Sequence, residues 1–257
     1  MSTDARSQAA LIDFLLRLGD DRLILGHRLS EWCGHGPVLE EDIALTNFAL
    51  DLIGQAAAFL HLASQIEGSR HSEDDLAYFR EATQFKNVQL VEQPNGDFAF
   101  TVARQFFFDA YNCLLLGELQ RSSHHQLAGI SAKGFTEATY HLRHSGDWMR
   151  RLGDGTEESH HRLQAAVNDL WRFTGELIMF DKTEQTLVEN GIIPNLDQLQ
   201  KNWLERVSEV VRAATLSLPT SGAAMVSGSR YGTHSEHLGH LLAEMQIVAR
   251  SFPDAKW

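Results

Sequence analysis

Apolar residues recur along almost the whole chain at steps of three and four, and this period is the strongest constraint on its fold. Leu11, Leu15, Leu18, Leu25, Leu29 and Trp32 set the first stripe, with Arg22 on the same line. An α-helix turns once in 3.6 residues, so side chains at these steps share one face that can be buried. "CGHGP" interrupts the pattern, because Gly and Pro stop a helix and turn the chain. A second helix is expected from Leu39 to about 66, with Ile43, Leu50, Ile53, Ala57 and Leu60 on adjoining stripes. "EDDLAYFREATQ" reads as a shorter helix and "VEQPNGD" as a turn or ordered loop.

Two long helices follow, over about 98–120 and 126–150, the latter with Ile130, Gly134, His141 and Trp148 on one face. Thr156 is the N-cap candidate for a sixth helix reaching about 180. Shorter helices are expected at "TEQTLVEN" and "LDQLQKNWLERVSEVVRAATL", and a last one at "EHLGHLLAEMQIVARSF". No segment alternates strictly with β-branched residues. The predicted fold class is therefore all-α: an antiparallel bundle of four long helices with additional peripheral helices. The expected organisation is a single domain over 1–257, flexible at 1–8 and with a Gly/Ser-rich loop at 217–234. A helical solenoid is the alternative, but the helices are unequal and no repeat recurs.

The formal net charge of −12 argues against a nucleic-acid-binding surface as the main business, since such surfaces concentrate Lys and Arg. The polar start, "MSTDARSQ", is soon followed by Asp13 and Arg17 and does not read as a secretory signal. No run is read as approaching the roughly 20 apolar residues that span a bilayer. A soluble, cytoplasmic chain without a membrane partner is expected. Cys33 and Cys113 form no CxxC and sit among apolar residues, so both are expected to be free, buried thiols.

Asp109 is set in the middle of the apolar run "RQFFFDAYNCLLLGEL", which raises the question of a metal. Helix bundles hold two iron ions with one acid from each of two helices and Glu-x-x-His from each of the other two. Here Asp51 is followed at the third position by Gly54, and Glu137 by Tyr140. Glu137, His141 and His144 could share one face, enough for a single weak site and not for an iron pair. Glu157 with His160 and Glu158 with His161 do match the spacing. They fall in the first turn after "GDGT", on two different faces, where acids favourably meet a helix N-terminus.

No residue is therefore assigned a catalytic, cofactor-binding or metal role. Arg22, Asp51, Asp109, Glu137 and His141 are instead candidates for a buried polar network, with Arg104 as a further partner. The reason is energetic: an isolated carboxylate in an apolar core costs several kcal/mol unless it is paired, hydrogen-bonded or protonated. Dinucleotide, phosphate-loop and nucleophile-elbow motifs are absent from the sequence. Cys33 and His35 lie close together at a helix end but lack a third orienting group. Near the last helix, Arg230, His234, Glu236 and His237 are candidates for contact with a partner or ligand.

"LGDDRLILGHRLSEWCGHGPVLEEDIALTNFALDLIGQA", "LVEQPNGDFAFTVARQFFFDAY", "ISAKGFTEATYHLRHSGDWMRRLGDGTEES", "LWRFTGEL" and "THSEHLGHLLAEMQ" occur in this order. Together they resemble the structural C subunits of the bacterial phenylacetyl-CoA 1,2-epoxidases, from about Leu11 to Trp257. The resemblance implies a ferritin-like helical fold. It also implies a multicomponent monooxygenase of aerobic phenylacetate catabolism, in which the A subunit, itself ferritin-like, carries the di-iron centre and the acyl-CoA site. A reductase delivers electrons from NADPH through FAD and a 2Fe-2S centre, and the complex inserts one atom of O2 across ring positions 1 and 2. The C subunit has lost the iron ligands, holds no cofactor, and pairs with the A subunit as its scaffold.

By that resemblance the chain meets other epoxidase subunits, the reductase and phenylacetyl-CoA only through the complex. An apolar patch covered in the complex would favour self-association of the isolated chain. One departure stands out. The family's loop before the last helix is expected to carry more lysine, whereas Arg230 is the only basic residue in "GSRYG". A contact there with a CoA phosphate or an acidic partner surface would fall to Arg230. The alternatives are an independent di-iron oxidase or oxygenase on the same helices, and an unrelated helical adaptor.

Overall fold

The structure, a computed structural model, describes residues 3–68, 71–219 and 224–255. Residues 1–2 and 220–223, parts of the two segments expected to be flexible or Gly/Ser-rich, lie outside these, as do 69–70 of "EGSRHS" and 256–257 at the end of the resemblance. Among the described residues there are ten α-helices and no strand: α1 (Thr3–Ser30), α2 (Leu39–Glu67), α3 (Glu73–Tyr78), α4 (Gln89–Glu92), α5 (Phe98–Leu119), α6 (His125–Gly153), α7 (Glu157–Trp171), α8 (Lys182–Glu189), α9 (Leu199–Ala213) and α10 (Glu236–Ser251). This all-α architecture accords with the ferritin-like class.

Backbone packing groups the helices into two compact units. The first comprises residues 1–94, 182–187 and 228–257. Its frame is the hairpin of α1 and α2. Gly19 lies where an added Cβ would come within 2.7 Å of Leu60, and Gly26 where one would come within 2.9 Å of Ile53. Rising numbers on α1 thus meet falling numbers on α2, which makes the pair antiparallel, and the two glycines let the backbones approach. The core face of α2 carries Leu45, Phe48, Leu52, Ala56 and Phe59, all buried.

The expected α2 stripe is corrected here. Ile43 is 52% and Leu50 64% exposed and Ala57 is exposed as well, so three of its members lie on the outer face. The cause is that α2 is apolar all round, and periodicity alone cannot choose between its faces. By length and composition α2 could cross a membrane, contrary to the expectation of no such run, and 44% of its most apolar stretch is buried within the fold. The start of the chain also differs: α1 already runs from Thr3. Cys33 lies in the turn after α1 and is exposed, while Cys113 is buried. The turn region is too short and polar to enclose a thiol.

The second unit comprises residues 95–181 and 188–227. Helix α5 is its axis, with every residue from Thr101 to Cys113 buried. It runs antiparallel to α6: Asp109 meets Ser145, and Gly117 lies against Phe135. Helices α7 and α9 cover its other side, where Phe107 packs at 5.9 Å from Trp171 and 6.3 Å from Trp203. The Trp203 indole donates to the Phe107 carbonyl at 3.1 Å, which satisfies its one polar group. Thr156 caps α7 as expected, accepting from the Ser159 amide. Helix α7 stops at Trp171, short of 180, and a 3-10 turn at Gly175–Leu177 follows.

Candidate functional site

Each unit holds its own cluster of buried polar groups. In the second unit the cluster is built on Asp109, which α5 points into the core with no solvent exposure. One carboxylate oxygen accepts from Gln105 Nε2 at 2.7 Å, one helical turn earlier. The other accepts from Ser145 Oγ of α6 at 2.8 Å. Burial pushes the Asp109 carboxyl up to about 6, opposed by the charge of nearby His141 and by the bonds from Ser145 and Gln105. These partners replace the Arg22 and Arg104 expected from the sequence. Arg104 instead donates to Asn95 Oδ1 at 2.6 Å. His141 is fully buried, and Glu137 is half-buried.

In the first unit, Arg22 is fully buried and lies 4.9 Å over the Phe59 ring. It donates to Gln55 Oε1 at 3.0 Å and to the Leu18 carbonyl at 2.7 Å. Asp51, the other α2 candidate, is half-buried. A larger set of charges centres on three acids that sequence reasoning missed: Asp20, Asp21 and Glu92, each shut off from solvent. Asp20 pairs with both Nη atoms of Arg80 and accepts from the Lys86 amide at 2.8 Å. Asp21 accepts from Arg230 Nη1 and Nη2 at 2.9 Å each and from the Val88 amide at 2.8 Å.

Glu92 accepts from Asn87 Nδ2 at 2.9 Å, and from Ser235 through its amide at 2.8 Å and its hydroxyl at 2.6 Å. His234 completes the set, with Nδ1 at 2.6 Å from Glu92 Oε1 and Nε2 at 3.0 Å from the Phe85 carbonyl. Both ring nitrogens face acceptors, a setting that only the doubly protonated imidazolium satisfies in full. Burial lowers the His234 pKa, but the bond to Glu92, its charge, the Phe85 carbonyl and the charge of Asp20 together outweigh it, and the net shift is upward.

The four contact candidates are thus placed differently. Arg230 turns inward, where Asp21 and the Lys86 carbonyl at 2.6 Å engage it, rather than presenting its charge to a phosphate. His234 is likewise engaged inside the unit. The His237 carbonyl accepts from Arg28 Nη2 at 3.1 Å, and its residue is half-buried. Glu236, at the start of α10, is exposed. Residues 228–235, part of the segment read as a Gly/Ser-rich loop, are pinned by these bonds and by Gln89, which donates to the Thr233 carbonyl at 3.0 Å.

A di-iron centre needs carboxylates and imidazoles with open lone pairs. The inward polar positions of the first hairpin carry Arg22 and Gln55, a cation and its amide acceptor. Those of α5 and α6 carry Asp109, whose two oxygens already serve Gln105 and Ser145, and one imidazole, His141. This donor set does not fit an iron pair. Gly54 and Tyr140, the positions where histidines were sought, are both exposed, so the inward register passes through Gln55 and His141 instead. Among the described residues, no three His, Cys, Asp or Glu side chains gather closely enough for a metal.

Set beside known proteins, the chain matches over residues 1–257 the family described as Phenylacetic acid catabolic protein. The chain belongs to that family. It is also similar to the Escherichia coli (strain K12) protein named as the C subunit of 1,2-phenylacetyl-CoA epoxidase. The two are 48% identical over 247 residues, covering 96% of this chain and 99% of the relative. The "DD" at 20–21 was the one available signal for Asp20 and Asp21: two adjacent carboxylates between the core positions Leu18 and Leu25.

Proposed function

We propose that the chain is the non-catalytic structural subunit of a phenylacetyl-CoA 1,2-epoxidase in aerobic phenylacetate catabolism. The observation that carries this reading is near full-length similarity, in both directions, to a protein named as the C subunit of that enzyme. The donor sets described above support the non-catalytic part: Arg22 is tied to Gln55, and both oxygens of Asp109 to Gln105 and Ser145. What they do is hold helices. Asp109 with Ser145 fastens α5 to α6, Asp20 fastens α1 to Arg80 just after α3, and Asp21 and Glu92 fasten the segment before α10 to α1 and α4.

In this reading the di-iron centre and the acyl-CoA site belong to the A subunit, and FAD, 2Fe-2S and NADPH to the reductase. The chain works in the cytoplasm, as one ferritin-like domain, and meets phenylacetyl-CoA only through the complex. Of the four candidates near α10, Glu236 is the one retained for contact with a partner. Affinity purification of the chain from its host tests the assignment. The iron-bearing A subunit is expected among the captured proteins, and its absence would overturn the reading.

A further inference from the structure

The outer face of α2 is an uncovered apolar strip. Leu39 is 71%, Ile43 52% and Leu50 64% exposed, with the polar Asn47 exposed between the last two, and Gly54 and Ala57 continue the same line one and two turns further on. At a rise of 1.5 Å per residue the strip is about 27 Å long. A scattered exposed aliphatic needs no explanation, but three on one face of a single helix, interrupted only at Thr46 and Asn47, mark a contact surface. Its relief is uneven. Leu39, Ile43 and Leu50 stand out as knobs, while a Cβ at Gly54 would meet nothing within 4 Å, leaving a hollow for a partner's side chain.

The charge around the strip selects among occupants. Helix α2 carries Glu40, Glu41, Asp42, Asp51 and Glu67 and neither Lys nor Arg. A second copy of α2 would set acid beside acid. A bilayer would have to accept Asp42 and Asp51 at hydrocarbon depth, and an anionic headgroup layer would repel the acidic end. A protein surface that is apolar at its centre and basic at its rim meets both requirements.

We propose that this face of α2 is where the iron-bearing partner subunit docks, through a helix whose apolar side is bordered by Lys or Arg. The proposal rests on the subunit assignment above and adds to it the face and the chemistry of its counterpart.

The test uses the full chain and the full-length iron-bearing subunit of the same host, with Leu50→Glu and Leu50→Ser introduced separately. Because Leu50 is mostly exposed, both variants should keep the helical circular dichroism and melting temperature of the parent. Leu50→Glu should weaken binding to the iron-bearing subunit at least tenfold, and Leu50→Ser by a smaller factor. Added salt should weaken the parent complex more than that of an Asp51→Asn variant. Parent affinity in both Leu50 variants would overturn the proposal while leaving the subunit assignment intact. Failure of the parent chain itself to bind would instead count against that assignment. Loss of self-association, or of binding to phosphatidylcholine and phosphatidylglycerol vesicles, with partner binding unchanged, would reassign the face to a second copy or a membrane and overturn the proposal.

Discussion

Arg230 clasps Asp21 with both terminal nitrogens at 2.9 Å, across 209 positions of sequence. The carboxylate is wholly buried and the guanidinium nearly so. Removing one member of such a pair strands a charge in a medium that cannot solvate it, which costs about 3–5 kcal/mol. Arg230→Ala should therefore lower the free energy of unfolding by about that amount, read from urea melts. Arg230→Lys should recover only part of the loss, because a single ammonium cannot make the two-pronged contact. Replacing both members together, Asp21→Asn with Arg230→Met, should cost less than Arg230→Ala alone.

His234 predicts a dependence on pH with a definite sign. Its pKa is raised in the folded chain, so the stability it contributes is fully present below the ordinary histidine value of 6.5. That contribution is lost as pH rises through the folded value, when the imidazolium gives up a proton that either Glu92 or the Phe85 carbonyl was using. Amide exchange at residues 228–235 should accelerate over that range beyond its intrinsic increase. His234→Gln should abolish the extra acceleration, and an unchanged profile in the variant would contradict the assignment.

Asp109 acts over a lower window, with the same sign. Its carboxyl is raised from 3.8 to about 6, so ionisation costs more in the folded chain than in the unfolded one. The stability that protonated Asp109 confers is full below 3.8 and falls until pH passes about 6, by an amount on the order of 2–3 kcal/mol. Asp109→Asn should flatten this part of the stability profile. Asp109→Ala should destabilise at every pH, since the Gln105 amide and the Ser145 hydroxyl are left without their acceptor, at about 1–3 kcal/mol for each buried group.

The single-domain reading is checked by unfolding. One domain should melt in one transition, with far-ultraviolet and near-ultraviolet signals coincident. Two resolved transitions would show that the two compact units are independent.

How much of this was legible in the sequence depended on what surrounds each residue. Boundaries were legible where Gly, Pro or a capping residue marks them, as at Thr156 and in the turn after α1. Asp109 was legible because it is an acid in the middle of a long apolar run, but its partners were not: Gln105 lies on the same helix, and Ser145 arrives only when α6 folds back. Asp21 and Glu92 were missed because Arg230 and His234 come from the far end of the chain, and no local pattern encodes such a meeting. The outer face of α2 was mistaken for core because both of its faces are apolar. That ambiguity is itself what a helix with a second, partner-facing side would produce.

The most direct measurement of the central claim is a reconstitution in which each component is omitted in turn, following NADPH oxidation and epoxide formation from phenylacetyl-CoA. With the iron-bearing subunit, the reductase and this chain present, full turnover is expected. Without this chain, turnover should fall sharply, and the chain with reductase and ferrous iron should form no product. Product from the chain and reductase alone would contradict the scaffold role, as would an iron-bearing subunit whose rate and stability are unchanged when the chain is left out.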